Sequence, residues 1–257
     1  MMEDNLKEKV KSVFGKNADK YVTSAIHAKG DDLPLLAEWL QLEEKSIALD
    51  IATGGGHVSR ALAPHAGTVV STDLTEAMLE NTAKHLKEDF GNILYVIADA
   101  ETLPFLPESF DAAVCRIAPH HFPHPEKFIR ETARVLKPGG KFILIDNIAP
   151  EENELALFMN TTEKLRDASH ARCLSKNEWR QLLQDNNLKE IQSLDRKKTF
   201  QYPTWVRRTA ESEEQIRQVE KHLLGADAAV QEYFQIDVEN GEVRTFVIDE
   251  WMVMAQK

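Results

Sequence analysis

The chain has 257 residues, 42% of them hydrophobic and 28% charged, with a formal net charge of −11 from 31 basic and 42 acidic side chains. That length and balance describe a globular chain with room for a large core. The acidic excess and the lack of a long basic cluster exclude a nucleic-acid surface, which needs cations against phosphate. No apolar run approaches the roughly 18 residues that span a bilayer, and the charged opening residues lack the apolar stretch of a secretory signal. Cys115 and Cys173 stand in no Cys-x-x-Cys pattern. They read as reduced thiols, so a cytoplasmic location is expected.

In chain order, residues 3–29 show apolar side chains at three- and four-residue steps and predict helix, interrupted at Gly15. Gly30-Asp31-Asp32 is expected to cap a second helix, Leu33 to Leu40, with Pro34 in its first turn. A strand ending at Asp50, the cluster Gly54-Gly55-Gly56, a short helix from His57 to Ala63 and a strand ending on Asp73 follow. Further on, helix is predicted over 75–90, strand over 93–98 and strand over 112–116. A histidine- and proline-rich loop, helix over 125–136, a Lys-Pro-Gly-Gly turn and strand over 141–146 come next. Short apolar strands alternating with helices imply a mostly parallel sheet covered on both faces. After Asp146 the pattern changes to helices over 155–167 and 176–186, a strand within 188–200, polar helical stretches over 204–225 and 227–234, and a last strand within 242–255.

Ile47 to Asp73 organises the rest. Glycines after a strand permit positive φ and bare backbone against a ligand, and the next helix aims its free N–H groups there. An acid at the end of the second strand is placed to accept from ribose hydroxyls. The dinucleotide fingerprint fails, because Ser59 stands where its third glycine is needed, and no Gly-Lys-Ser/Thr supports a P-loop.

What fits is the acid-x-Gly-x-Gly-x-Gly signature, with Asp50, Ala52, Gly54 and Gly56 in the four places and Ala52 departing from the first glycine. This segment resembles motif I of the class I methyltransferases that use S-adenosylmethionine (SAM). The run from Val96 to Asp146, with Asp99-Ala100, Leu103-Pro104-Phe105, Ser109-Phe110-Asp111 and Leu136-Lys137-Pro138-Gly139-Gly140, resembles the ubiquinone/menaquinone-biosynthesis type. The resemblance covers roughly residues 45 to 147. It implies a Rossmann-like, doubly wound α/β fold with seven strands in the order 3-2-1-4-5-7-6. It also implies one methyltransferase domain: an N-terminal helical lid (1–44), a SAM-binding core (45–147) and an acceptor-side insert with the final strands (148–257).

By the same resemblance, Asp50 and the 52–56 turn face the methionine part of SAM, Asp73 takes the ribose hydroxyls, and Leu74 and Met78 pack by the adenine. Asp99 and the Ala100 backbone read the adenine edge, and Arg116 lies beside the cofactor. Asp73 also suits a helix cap before Thr75, and Arg116 equally suits a salt bridge. Tyr21 and His27 belong to the lid, Tyr21 as a contact to the SAM carboxylate or as core. His120 or His121 is a candidate general base, since imidazole titrates near neutrality. His120, His121 and His124 with no cysteine in their loop do not make a metal site. His170 and Arg172 stand where relatives bind acceptor, and Trp179, Trp205 and Trp251 read as core. The expected partner is a small-molecule methyl acceptor, aromatic or quinone-like, for a monomer or homodimer. The alternative is a SAM-binding module without catalysis.

Overall fold

The computed structural model describes residues 6–15 and 30–257; Tyr21 and His27 lie outside the described residues. Residues 6–15 are helical (α1). The elements that follow are α2 (Leu33–Leu40), β1 (Ile47–Ile51), α3 (His57–Leu62), β2 (Thr68–Asp73), α4 (Glu76–Leu86), β3 (Ile93–Ile97) and β4 (Phe110–Arg116). A single 3-10 turn (Pro119–His121) precedes α5 (Pro125–Val135), β5 (Leu136–Ile148), α6 (Asn153–Arg166), α7 (Lys176–Asp185) and β6 (Lys189–Gln201). The chain closes with α8 (Tyr202–Val206), α9 (Glu213–Leu224), α10 (Ala228–Tyr233), β7 (Asp237–Glu239) and β8 (Glu242–Gln256).

The sheet runs β3-β2-β1-β4-β5-β8-β6, with β7 pairing only to β8. β1 to β5 are mutually parallel, while β8 runs antiparallel between β5 and β6. The implied order therefore holds, but the sheet has eight strands. The extra one is the three-residue, fully polar-flanked arm of a hairpin turned by Asn240 and Gly241, both at positive φ, as two-residue hairpins prefer. The Lys-Pro-Gly-Gly turn is absorbed into β5 as an irregularity: Phe110 pairs with Leu136, and Ala112 next with Lys141.

Side chains alternate across the sheet with the two-residue period of a strand. Leu49, Ala113, Cys115, Phe142 and Leu144 face one layer with Phe128, Trp179 and Trp251. Ala48, Ala112, Val114, Ile143 and Ile145 face the other with Leu36, Val58 and Leu62. A third apolar cluster, including Phe200, Trp205, Leu223 and Phe246, fills the space under the C-terminal helices. All three tryptophans expected as core are buried. Both cysteines are buried and free, and burial pushes their thiols well up from the usual range.

Asp32 does not cap α2, since its side chain bonds no helix N–H. It is buried and ion-paired with Arg116 at the end of β4, through Nε and, at 3.1 Å, Nη2, with Arg196 of β6 at 3.4 Å. Burial would raise the Asp32 carboxyl, but the Arg116 hydrogen bonds hold it below the usual carboxylate value. The pair joins three elements around the sheet end, and breaking a buried pair strands a charge. Asp32→Ala is expected to cost about 3 kcal/mol of stability, read as a lower urea midpoint; an unchanged midpoint would contradict the pairing.

Candidate functional site

Strand order reverses between β1 and β4, and open α/β sheets bind ligands outside the strand ends at such a point. Asp50, Asp73, Arg116 and Asp146 stand at or near the carboxyl ends of β1, β2, β4 and β5. A cleft of about 1040 Å³, counted out to solvent, opens there.

The glycine turn is set by local geometry. Gly54 and Gly56 have φ of 53° and 78°, a region that L side chains avoid. A Cβ on Gly56 would also lie 2.4 Å from Thr82 Cγ2, so that position is closed twice over. Ala52 has φ 56° as well, the left-handed conformation that a glycine in this place adopts without strain. Asp50 is the anchor of the turn: its Oδ2 accepts from Thr53 Oγ1 (2.5 Å), Ser59 N (3.0 Å) and Ser59 Oγ (2.6 Å). Ser59, the residue that breaks the dinucleotide fingerprint, is thus a ligand of Asp50. Burial pushes the Asp50 carboxyl up to about 6 despite these bonds.

Asp73 Oδ2 accepts from Gly54 N at 3.1 Å and Oδ1 from Thr75 N at 2.9 Å. It therefore supports the start of α4 and still faces the cleft. A carboxylate has about four acceptor sites, so these two bonds do not by themselves exhaust it. Burial raises its carboxyl above the ordinary value. Leu74, Met78, Asp99, Ala100 and Arg116 also line the cleft, although the Arg116 guanidinium is engaged by Asp32. Asp99 Oδ1 accepts from Glu101 N at 2.9 Å.

Helix α1 covers this cleft through Lys7, Val10 and Phe14. Lys7 Nζ bonds Asp99 Oδ2 at 2.6 Å and Glu101 Oε2 at 2.5 Å. These contacts join residues more than 90 positions apart, and no local pattern announces them.

A second cavity of about 500 Å³ adjoins the first, and Phe14, Ile117 and His121 line both. The Phe14 ring stands edge-on to His121, with centroids 5.0 Å apart. Ile117 has φ 52°, a costly conformation for a β-branched residue and of the kind that gathers at functional sites. His120 lines only the second cavity. Its Nδ1 lies 2.6 Å from Asp146 Oδ1, and its N–H donates to Asp146 Oδ2 at 2.9 Å. Burial opposes protonation of His120, but the Asp146 carboxylate outweighs it and raises the imidazole above its usual value. His121 is lowered by burial and by the neighbouring His120 charge. Its Nδ1–H, in the neutral ring, donates to Ser169 O at 3.0 Å.

His170 is buried, with Nε2 bonded to Asn160 Oδ1 at 3.0 Å and its ring 5.7 Å from that of His120. It lines neither cavity and supports the histidines from behind. Arg172 is exposed, ion-paired with Glu178 at 2.7 Å, and is not brought to either cavity. From the insert, Glu163, Arg166, Asp167, Lys198, Phe200, Trp205 and Arg208 reach the second cavity. The signal for Asp146 was present: an acid ending the strand beside the histidine loop. Nothing in the insert's sequence ranked Arg166 or Arg208 above Arg172. Among the described residues, no group of three His, Cys, Asp or Glu side chains is placed to hold a metal ion, and no helix is long and apolar enough to cross a membrane.

A family profile described as a methyltransferase domain matches residues 49–144. The chain is 34% identical over 248 residues to the uncharacterised methyltransferase YcgJ of Bacillus subtilis, covering 95% of this chain and 97% of that protein. A crystal structure from Bacillus halodurans, described as a candidate methyltransferase, superposes with a TM-score of 0.86 at 36% identity, covering 89% of this chain and 99% of that one. A ubiquinone biosynthesis O-methyltransferase of Coxiella burnetii is 33% identical over 109 residues, 42% of this chain and 46% of that protein. With a near full-length relative, a matching domain and the glycine turn at the switch point, the chain belongs to the class I SAM-dependent methyltransferases.

Proposed function

We propose that this protein binds SAM in the cleft and transfers its methyl group to a hydroxyl of a small-molecule acceptor in the second cavity. The observation that carries this reading is the meeting of the two cavities at Ile117 and His121, with the His120–Asp146 pair beside the junction. A second cavity at this place also favours an enzyme over a SAM-binding module without catalysis.

The residues fit the cofactor: bare backbone at Gly54 and Gly55, the Asp73 carboxylate, and Asp99-Ala100 at the edge of the cleft. When bound, SAM supplies an electrophilic methyl carbon on a positively charged sulfur. Asp73 would hold the ribose hydroxyls, Asp50 would meet the ammonium group, and α1 would exclude water as the lid. Phe14 and Ile117, which line both cavities, would position a bound methyl donor against the acceptor. His120 Nε2 takes the acceptor proton while Asp146 fixes the ring tautomer through Nδ1–H. Bound SAM would supply the methyl carbon for the new O–C bond and its sulfur would take the C–S electrons, while His120 would hold the proton from the broken O–H bond. The aromatic walls, Phe200 and Trp205, suit a ring-bearing acceptor, and the ubiquinone relative acts in a pathway of such compounds.

Asp50 gives this reading a pH signature. With its carboxyl at about 6, the ionised form that attracts the ammonium is lost as pH falls through that value. Affinity for SAM is expected to weaken below pH 6 and to be level above it. Thermal shift with SAM, S-adenosylhomocysteine and NADH, each alone, tests the whole assignment. Stabilisation by the first two is expected; selective stabilisation by NADH would refute it.

A further inference from the structure

The second cavity says more about the acceptor than its aromatic walls do. Its charged lining comprises Arg166, Lys198 and Arg208 against Glu163 and Asp167, with His120 and His121 on the cofactor side. The carboxylates are already engaged. Glu163 pairs with Arg166 at 2.8 Å, and Asp167 accepts from Ser169 N at 2.8 Å. Lys198 pairs at 2.9 Å with Glu250, which is not in the lining. The Arg166 Cζ lies over the Trp205 ring, 4.2 Å from its centroid, and the Arg208 Cζ is 5.8 Å from the centroid of the Phe200 ring. The cations are thus held in place by packing as well as by charge.

Asn147 Oδ1, next to Asp146 near the end of β5, and Arg166 Nε at the end of α6 are buried here with no hydrogen-bond partner among the described residues. Asn147 is 7% exposed. Buried unpaired groups are uncommon in native proteins, and each asks for an explanation. One of these atoms wants a donor and the other an acceptor.

We infer that the methyl acceptor is a hydroxy acid, with its hydroxyl at the His120–Asn147 end of the second cavity and its anionic group at the Arg166–Lys198–Arg208 end. The reacting hydroxyl gives its proton to His120, so the donor that Asn147 Oδ1 lacks is a neighbouring hydroxyl, as in a dihydroxy acid, and a carboxylate is the acceptor that Arg166 Nε lacks. An arginine fork recognises a carboxylate in its plane, which a neutral ring substituent cannot match. The inference rests on the methyltransferase reading, and it narrows that reading from a quinone-like ring to a compact, charged one.

The test uses the full chain loaded with S-adenosylhomocysteine and matched probes: the hydroxybenzoates and dihydroxybenzoates against their neutral amides, by calorimetry. The acids are expected to bind at least about tenfold tighter than the amides, the scale of one charge-assisted hydrogen bond. Arg208→Gln should remove that preference, and rising salt should shrink it in the unaltered protein, which answers even if the variant does not fold. Equal binding of acids and amides, or of neither, while S-adenosylhomocysteine still binds, overturns the hydroxy-acid assignment and leaves the methyltransferase reading standing. Failure of S-adenosylhomocysteine itself to bind overturns the reading beneath it.

Discussion

His120→Gln is expected to lower the rate of methyl transfer at saturating SAM by about 10²–10⁴, the usual contribution of a positioned general base. Affinity for S-adenosylhomocysteine should stay the same, because His120 lines the second cavity and not the cleft. Asp146→Asn should also slow transfer, and it carries a sharper signature. In the native protein Asp146 raises the His120 imidazole, so the neutral, proton-accepting form is reached only above the ordinary histidine value near 6.5. The rate should therefore climb with pH above that value. Without the carboxylate the climb should move to lower pH, while the plateau falls because the ring loses its tautomer partner. A merely structural Asp146 would reduce the rate without moving the profile. His121→Gln is the control. That ring is already neutral near pH 7, lowered by burial, so its loss should leave the position of the climb in place. Equal rates for the His120 variant and the unaltered protein would remove the general base from the mechanism.

Asp73→Ala is expected to weaken SAM binding by about ten- to a hundredfold, since a charge-assisted pair of hydrogen bonds contributes about 1.5–3 kcal/mol. The same substitution frees Gly54 N and Thr75 N, both of which Asp73 now holds. Some of the loss would then come from a loosened turn. Asp73→Asn separates the two, because its amide oxygen can still accept from one backbone N–H while the charge is gone. Calorimetry well below the unfolding temperature reads the difference, and unchanged affinity in Asp73→Ala would reject the ribose assignment.

The legibility of this molecule follows sequence distance. The strand–glycine–strand segment from Ile47 to Asp73 could be read because its requirements are local: φ at Gly54 and Gly56, a small residue at Ala52, and acids at strand ends. The pairing of His120 with Asp146 spans 26 positions, yet His120 follows β4 in the next turn and Asp146 lies near the end of the adjacent parallel β5, so strand order nearly reveals it. Asp32 with Arg116 and Lys7 with Asp99 are 84 and 92 positions apart, and nothing local points from one to the other. Asp32 looked like a helix cap because short acids before helices usually are; here the buried arginine competes for it and wins. Ile117 gave no sign of its left-handed backbone, which β-branched residues avoid. In the insert, Arg172 was singled out by its place in the loop, but Glu178 on the following helix holds it at the surface. The arginines that reach the cavity are set by the packing of Trp205 and Phe200.

Isothermal titration with SAM and then with S-adenosylhomocysteine tests the central claim most directly. Saturable binding of both, each displacing the other, is the predicted result, with affinity falling below pH 6 as Asp50 protonates. Binding of neither between pH 7 and 8 would contradict the account.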